Sequence, residues 1–149
     1  CWGYNLNLIK RMIPENYPDL GLDFRAILKS EFLKAGGFSD TGYTDTWTLS
    51  EKLGYQPHNV IGAKYFHNNP DNLLEVFIQA KWIGKRKYKY GIFGIFWALI
   101  RSLFFFSILK GIYKSIKFKE PSFLIFKIVY DLGIFIGIIE MIYTKKLSK

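Results

Sequence analysis

The sequence predicts an α/β unit over residues 1–90, a membrane-associated hairpin of two helices over 91–143, and a basic tail over 144–149. Three observations predict it. Helical spacing and one β-like stretch, "NVIGAKYFH" at 59–67, alternate in the first part. The composition changes sharply near residue 90, from a mixed chain broken by Pro14, Pro18, Pro57 and Pro70 to a strongly apolar one. Two apolar runs then follow, 91–109 and 121–143, each close to the roughly 20 residues a helix needs to cross a bilayer.

Each element has a local cause. In "FRAILKSEFLKA", 24–35, apolar residues fall at Phe24, Ile27, Leu28, Phe32 and Leu33, which is helical spacing, and Gly36 and Gly37 stop the helix. "TDTWTLSEKLGY" predicts a second helix, with Thr44 or Asp45 near its start and Gly54 at its end. "NNPDNLLEVFIQAKWIGKR" predicts a third, with Pro70 near its first position and Asn69 or Asp71 near the cap. "KGIYKSIKFKE", 110–120, is short and basic and connects the two apolar runs.

Neither apolar run is free of charge. Arg101 interrupts the first, and Lys127, Asp131 and Glu140 the second. A charge at bilayer depth costs about 2.5–3.5 kcal/mol on insertion scales. Lys127 and Asp131 stand four apart and share a helix face, where they can pair. Arg101 can instead reach Asp131 or Glu140 across the hairpin. Lysines flank both outer ends, which favours a cytoplasmic location for them. The connection carries Lys110, Lys114, Lys117 and Lys119, however, so spanning helices and helices lying in the interface plane both stay open.

Bulk composition narrows the function classes. Half of the 149 residues are apolar and 19% are aromatic, which excludes a disordered chain. The formal charge of +9 points to a polyanionic partner. Residues 81–119 contain no acidic residue, and aromatics interleave with the cations. A nucleic-acid backbone has no use for the apolar run inside that stretch, so membrane lipids are the expected partner and nucleic acid is not. Cys1 is the sole cysteine, so no intrachain disulfide forms. With Cys1 in place of an initiating Met, the expectation is a piece of a longer protein.

The ordered set "FRAILKSEFLKAGGF", "GYTDTWTLSEKLGY" and "AKYFHNNPDNLLEVFIQAKWIGKR" resembles the C-terminal part of the catalytic domain of family 2 glycosyltransferases. The likeness covers about residues 20–90. It implies a GT-A-type fragment that transfers a sugar from a nucleotide-sugar donor to a hydroxyl acceptor, either lipid-linked or a cell-envelope glycan, with the catalytic part on the cytoplasmic side. The family's donor-binding half and its Asp-x-Asp motif are absent from this chain. The chain alone is therefore expected to be inactive.

By that resemblance Asp45 is the general base, a carboxylate within reach of the acceptor hydroxyl. Thr44 stands where the family has Glu. The same Asp45 also fits a plain helix N-cap. The resemblance further implies a divalent metal, Mg or Mn, with His67 as a ligand, although a lone histidine equally fits a structural role. Gln79, Lys81, Trp82, Lys85 and Arg86 are implied to bind acceptor or diphosphate. "QAKW" departs from the family's Gln-x-x-Arg-Trp, and these residues also fit an aromatic and basic belt before a membrane helix. His58 has no partner at ligand spacing. The alternative function is a non-catalytic, membrane-anchored basic adaptor.

Overall fold

The computed structural model describes residue 24 and residues 26–42, 47–58 and 69–148. Six α-helices lie within them: α1, Lys29–Lys34; α2, Trp47–Leu53; α3, Leu73–Gly84; α4, Gly91–Arg101; α5, Phe104–Phe118; and α6, Ser122–Thr144. No strand occurs among the described residues, and the α/β, GT-A-type expectation is overturned: the described part is helical. The β expectation rested on 59–67, which lies outside the described residues. What is described folds on the helical period.

α1 stops where two glycines take left-handed backbone, φ +72° at Gly36 and +67° at Gly37. Their N–H groups donate to the Leu33 and Phe32 carbonyls, each at 3.0 Å. The turn is then held from α2. Lys52 Nζ donates to the Gly37 carbonyl at 2.7 Å, and the Ser39 N–H donates to Thr48 Oγ1 at 2.9 Å.

The cap of α3 is Asn72, one residue beyond Asp71, the later of the two expected caps. Asn72 Oδ1 accepts from the Glu75 N–H at 2.9 Å, and Glu75 reaches back to the Asp71 N–H at 3.0 Å. This reciprocal arrangement satisfies two amides that a helix start leaves without partners.

α3 and α6 run parallel. Contacts advance together along both helices: Val76 meets Phe123 and Phe126, Ala80 meets Gly133, and Gly84 meets Gly137. α5 runs antiparallel to α6, because Ser107 meets Asp131 while Gly111 meets Leu124 nearer the start of α6.

The first apolar run forms two helices and not one. α4 and α5 meet at 64° across Ser102 and Leu103. The Ser102 N–H closes the last turn of α4 onto the Ala98 and Leu99 carbonyls, and Leu103 is extended with ψ 144°. Residues 110–118, expected as a connection, belong to α5.

α6 spans 23 residues, about 34 Å. It is long and apolar enough to cross a bilayer; α4 and α5 qualify only together, as a bent pair. α5 is polar toward the bundle and apolar away from it. Ser107, Gly111 and Lys114 face α6, whereas Phe105, Leu109, Ile112 and Ile116 are exposed, Ile116 to 73%. In water that arrangement leaves a large apolar surface uncovered. In lipid it is the expected one.

Candidate functional site

The geometry of the site starts at the end of α3. Gly84 packs backbone to backbone against Gly137, so α3 terminates beside α6 at a fixed place. The next residues hold two distant segments. The Lys87 N–H donates to the Thr41 carbonyl at 3.0 Å, and the Ser148 N–H donates to the Lys85 carbonyl at 2.7 Å. Gly42, at φ +70°, is pressed against this junction: a Cβ there would lie 2.8 Å from the Lys85 carbonyl oxygen. The loop after α1, the link after α3 and the C-terminal tail therefore meet at one point.

Beneath that point lies a cavity of about 950 Å3. Arg86, Lys87 and Lys89 line it from the α3–α4 link. Arg101 lines it from the end of α4, Lys110 from α5, and Lys127 from α6. Thr41, Thr48 and Glu51 close it on the side of the glycine turn. Asp131 is the other carboxylate in the lining. It accepts from Lys127 Nζ at 2.6 Å on one oxygen and from Ser107 Oγ at 2.7 Å on the other. The pairing that the four-residue spacing allows is thus present, buried inside the bundle, with Lys127 at 9% and Asp131 at 4% exposure.

Tyr88 forms part of the wall. Its hydroxyl donates to the Gly84 carbonyl at 3.1 Å, and the Arg86 guanidinium carbon lies 5.1 Å from its ring centroid. Burial pushes the Tyr88 phenol above its ordinary value, while the neighbouring Arg86 charge pulls the other way.

The structure separates the five residues expected to bind acceptor or diphosphate. Arg86 lines the cavity. Lys81 and Lys85 instead converge on one carboxylate: Lys81 Nζ lies 2.7 Å from Glu140 Oε2, and Lys85 Nζ contacts Glu140 Oε1. Trp82 is exposed at the outside of α3, and Gln79 is half-buried. Neither lines the cavity. Asp45 and His67 lie outside the described residues, although Thr41 and Thr48, on either side of Asp45 in the sequence, both reach the cavity wall.

Lys87, Lys89, Arg101 and Lys110 were not singled out as binding residues from the sequence. The acid-free stretch 81–119 was the available signal. It shows the excess of cations but not which of them a three-helix arrangement turns inward. A divalent metal does not fit this lining, which holds six cationic side chains against Glu51 and an already paired Asp131. No cluster of metal-ligating side chains occurs among the described residues.

Comparison with family models, with curated proteins and with solved structures yields no match for this chain. The site therefore stands on its own chemistry: a strongly cationic chamber with aromatic and aliphatic walls, between a glycine-turn lobe and a helical bundle with exposed apolar faces.

Proposed function

We propose that this chain is the membrane-anchored, acceptor-side part of a glycosyltransferase, with the cationic cavity as its substrate-holding site. The observation that carries the reading is the lining itself. Thr41 and Thr48 bracket the sequence position of Asp45, and they share one cavity with Arg86, Arg101 and Lys110. The ordered motifs of residues 20–90 supply the class of reaction.

In that reaction the acceptor hydroxyl oxygen forms a bond to the anomeric carbon of the donor sugar. The bond from that carbon to the nucleoside diphosphate breaks, and the hydroxyl proton passes to the Asp45 carboxylate. Fixed cations stabilise the negative charge that collects on the departing diphosphate, and they act most strongly in a site that excludes water. α6 anchors the unit in the bilayer, with the glycine-turn lobe on the cytoplasmic side.

The test uses membranes from cells expressing the complete protein, supplied with nucleotide-sugar donors and lipid or glycan acceptors. Asp45→Asn should abolish transfer while the protein stays in the membrane fraction. Full transfer by that variant would remove Asp45 from the mechanism.

One specific observation favours the second reading, a non-catalytic basic adaptor held at the membrane. Two of the cations assigned to substrate, Lys81 and Lys85, are already engaged by Glu140. If the complete protein in native membranes transfers no sugar from any donor tried, the adaptor reading stands and the enzyme reading falls.

A further inference from the structure

We infer that the cavity is a binding site for the phosphate group of a lipid, with the lipid's hydrocarbon lying along the exposed aromatic face of α4. The lipid is the acceptor class of the reaction proposed above, so the site rests on that reading's membrane placement, though not on sugar transfer itself.

Charge is the first reason. Of the six cations in the lining, Lys127 is matched by Asp131. Among the described residues no carboxylate pairs with Arg86, Lys87, Lys89, Arg101 or Lys110. With Asp131 taken by Lys127, these five cations face only the Glu51 carboxylate in the lining, which leaves the chamber strongly positive, and phosphate oxygens accept from guanidinium and ammonium groups at once.

Position is the second. Arg101 and Lys110 sit on either side of the α4–α5 bend, on helices whose outer faces are apolar. Both line the chamber, Lys110 half-buried and Arg101 exposed. A charge at that depth is costly unless it faces a partner or a polar cavity.

The mouth of the chamber is the third. Tyr90 and Trp97 belong to its lining and are also 72% and 61% exposed. Phe93 and Phe96 continue the same exposed surface along α4. A free phosphate ion has no use for this aromatic track, and an uncharged lipid has no use for the cations. A molecule with a phosphate head and an apolar tail uses both.

The experiment takes the complete protein in phosphatidylcholine nanodiscs and titrates it with fluorescent phosphatidic acid, without any sugar donor. Arg101→Gln with Lys110→Gln should weaken binding about tenfold or more, as expected for lost charged hydrogen bonds. Lys145→Gln with Lys146→Gln removes the same charge outside the cavity and should leave binding within about twofold of the parent, as for screened surface charges. Equal weakening by the two pairs, or none by the first, would overturn the site. Displacement of the probe by inorganic phosphate alone would overturn the lipid as its source. If the first pair fails to fold, judged by its elution and melting, Arg86→Gln with Lys89→Gln in the α3–α4 link gives the same reading. Binding without transfer removes the enzyme and keeps the site; transfer with binding indifferent to both cavity pairs removes the site and keeps the enzyme.

Discussion

Gly84 on α3 and Gly137 on α6 touch through their backbones: a Cβ on Gly84 would lie 3.1 Å from the Gly137 Cα, and one on Gly137 would lie 3.2 Å from the Gly84 Cα. Ala80 and Gly133 repeat the contact one turn earlier, with a Cβ on Gly133 reaching 2.7 Å from the Ala80 Cβ. Both helices therefore carry a small residue at four-residue spacing on the facing side, the pattern that lets helices approach closely where no hydrophobic effect drives them together.

Gly137→Val should weaken this packing severely. Any Cβ at Gly137 runs into the Lys81 carbonyl, which is backbone and cannot turn aside. Overpacking of this kind costs about 1–3 kcal/mol. Thermal melting in detergent should fall accordingly, while Ile142→Ala on the exposed side of α6 should change it little. A Gly137→Val protein that melts like the parent would contradict the α3–α6 contact.

The Lys127–Asp131 pair should show strong coupling. Lys127→Met leaves a buried carboxylate held by Ser107 alone, and breaking a buried pair from one side costs about 3–5 kcal/mol. Replacing both, Lys127→Met with Asp131→Leu, should recover most of that loss, because no unpaired charge remains. A double-mutant cycle on melting free energies measures the coupling. Additive single effects would mean that the two side chains do not interact.

Tyr88 predicts a loss of stability at alkaline pH. Its folded-state value is raised, so the fold favours the neutral phenol. The contribution is fully present below the ordinary tyrosine range and is lost as pH rises through the raised value. Ultraviolet titration of phenolate, taken as the difference between parent and Tyr88→Phe, should show one tyrosine ionising late. Arg86→Gln should delay it further, since the guanidinium lowers that value. An ordinary midpoint in the difference curve would mean that Tyr88 is open to water.

Much of the local structure was legible in the sequence. The stop at Gly36 and Gly37, the helix before Gly54, and the Lys127–Asp131 pairing all follow from spacing between near neighbours. The α4–α5 bend was not legible, since Ser102 and Leu103 include neither proline nor glycine. The lysines at 110, 114 and 117 do follow a helical period, but it runs past the end of the apolar run, where the sequence alone suggests a charged connection. The sequence offers Asp131 or Glu140 to Arg101, yet Glu140 takes Lys81 and Lys85, because the parallel run of α3 beside α6 is a long-range fact that neither segment encodes alone. The cavity was invisible for the same reason: its cations come from four separate segments, the α3–α4 link, α4, α5 and α6.

Glu140→Gln separates the role of Lys81 and Lys85 from that of the cavity cations. The three side chains are between about a fifth and a third exposed, so water screens their attraction. Removing the carboxylate should therefore lower the melting temperature only slightly. Glu140→Lys should cost more, because three cations then crowd one place, and Lys81→Glu added to Glu140→Lys should restore part of it. Phosphatidic acid binding should not change in Glu140→Gln, since neither lysine lines the cavity. If freeing Lys81 and Lys85 strengthens binding markedly, those two lysines and not the inward-facing set hold the phosphate.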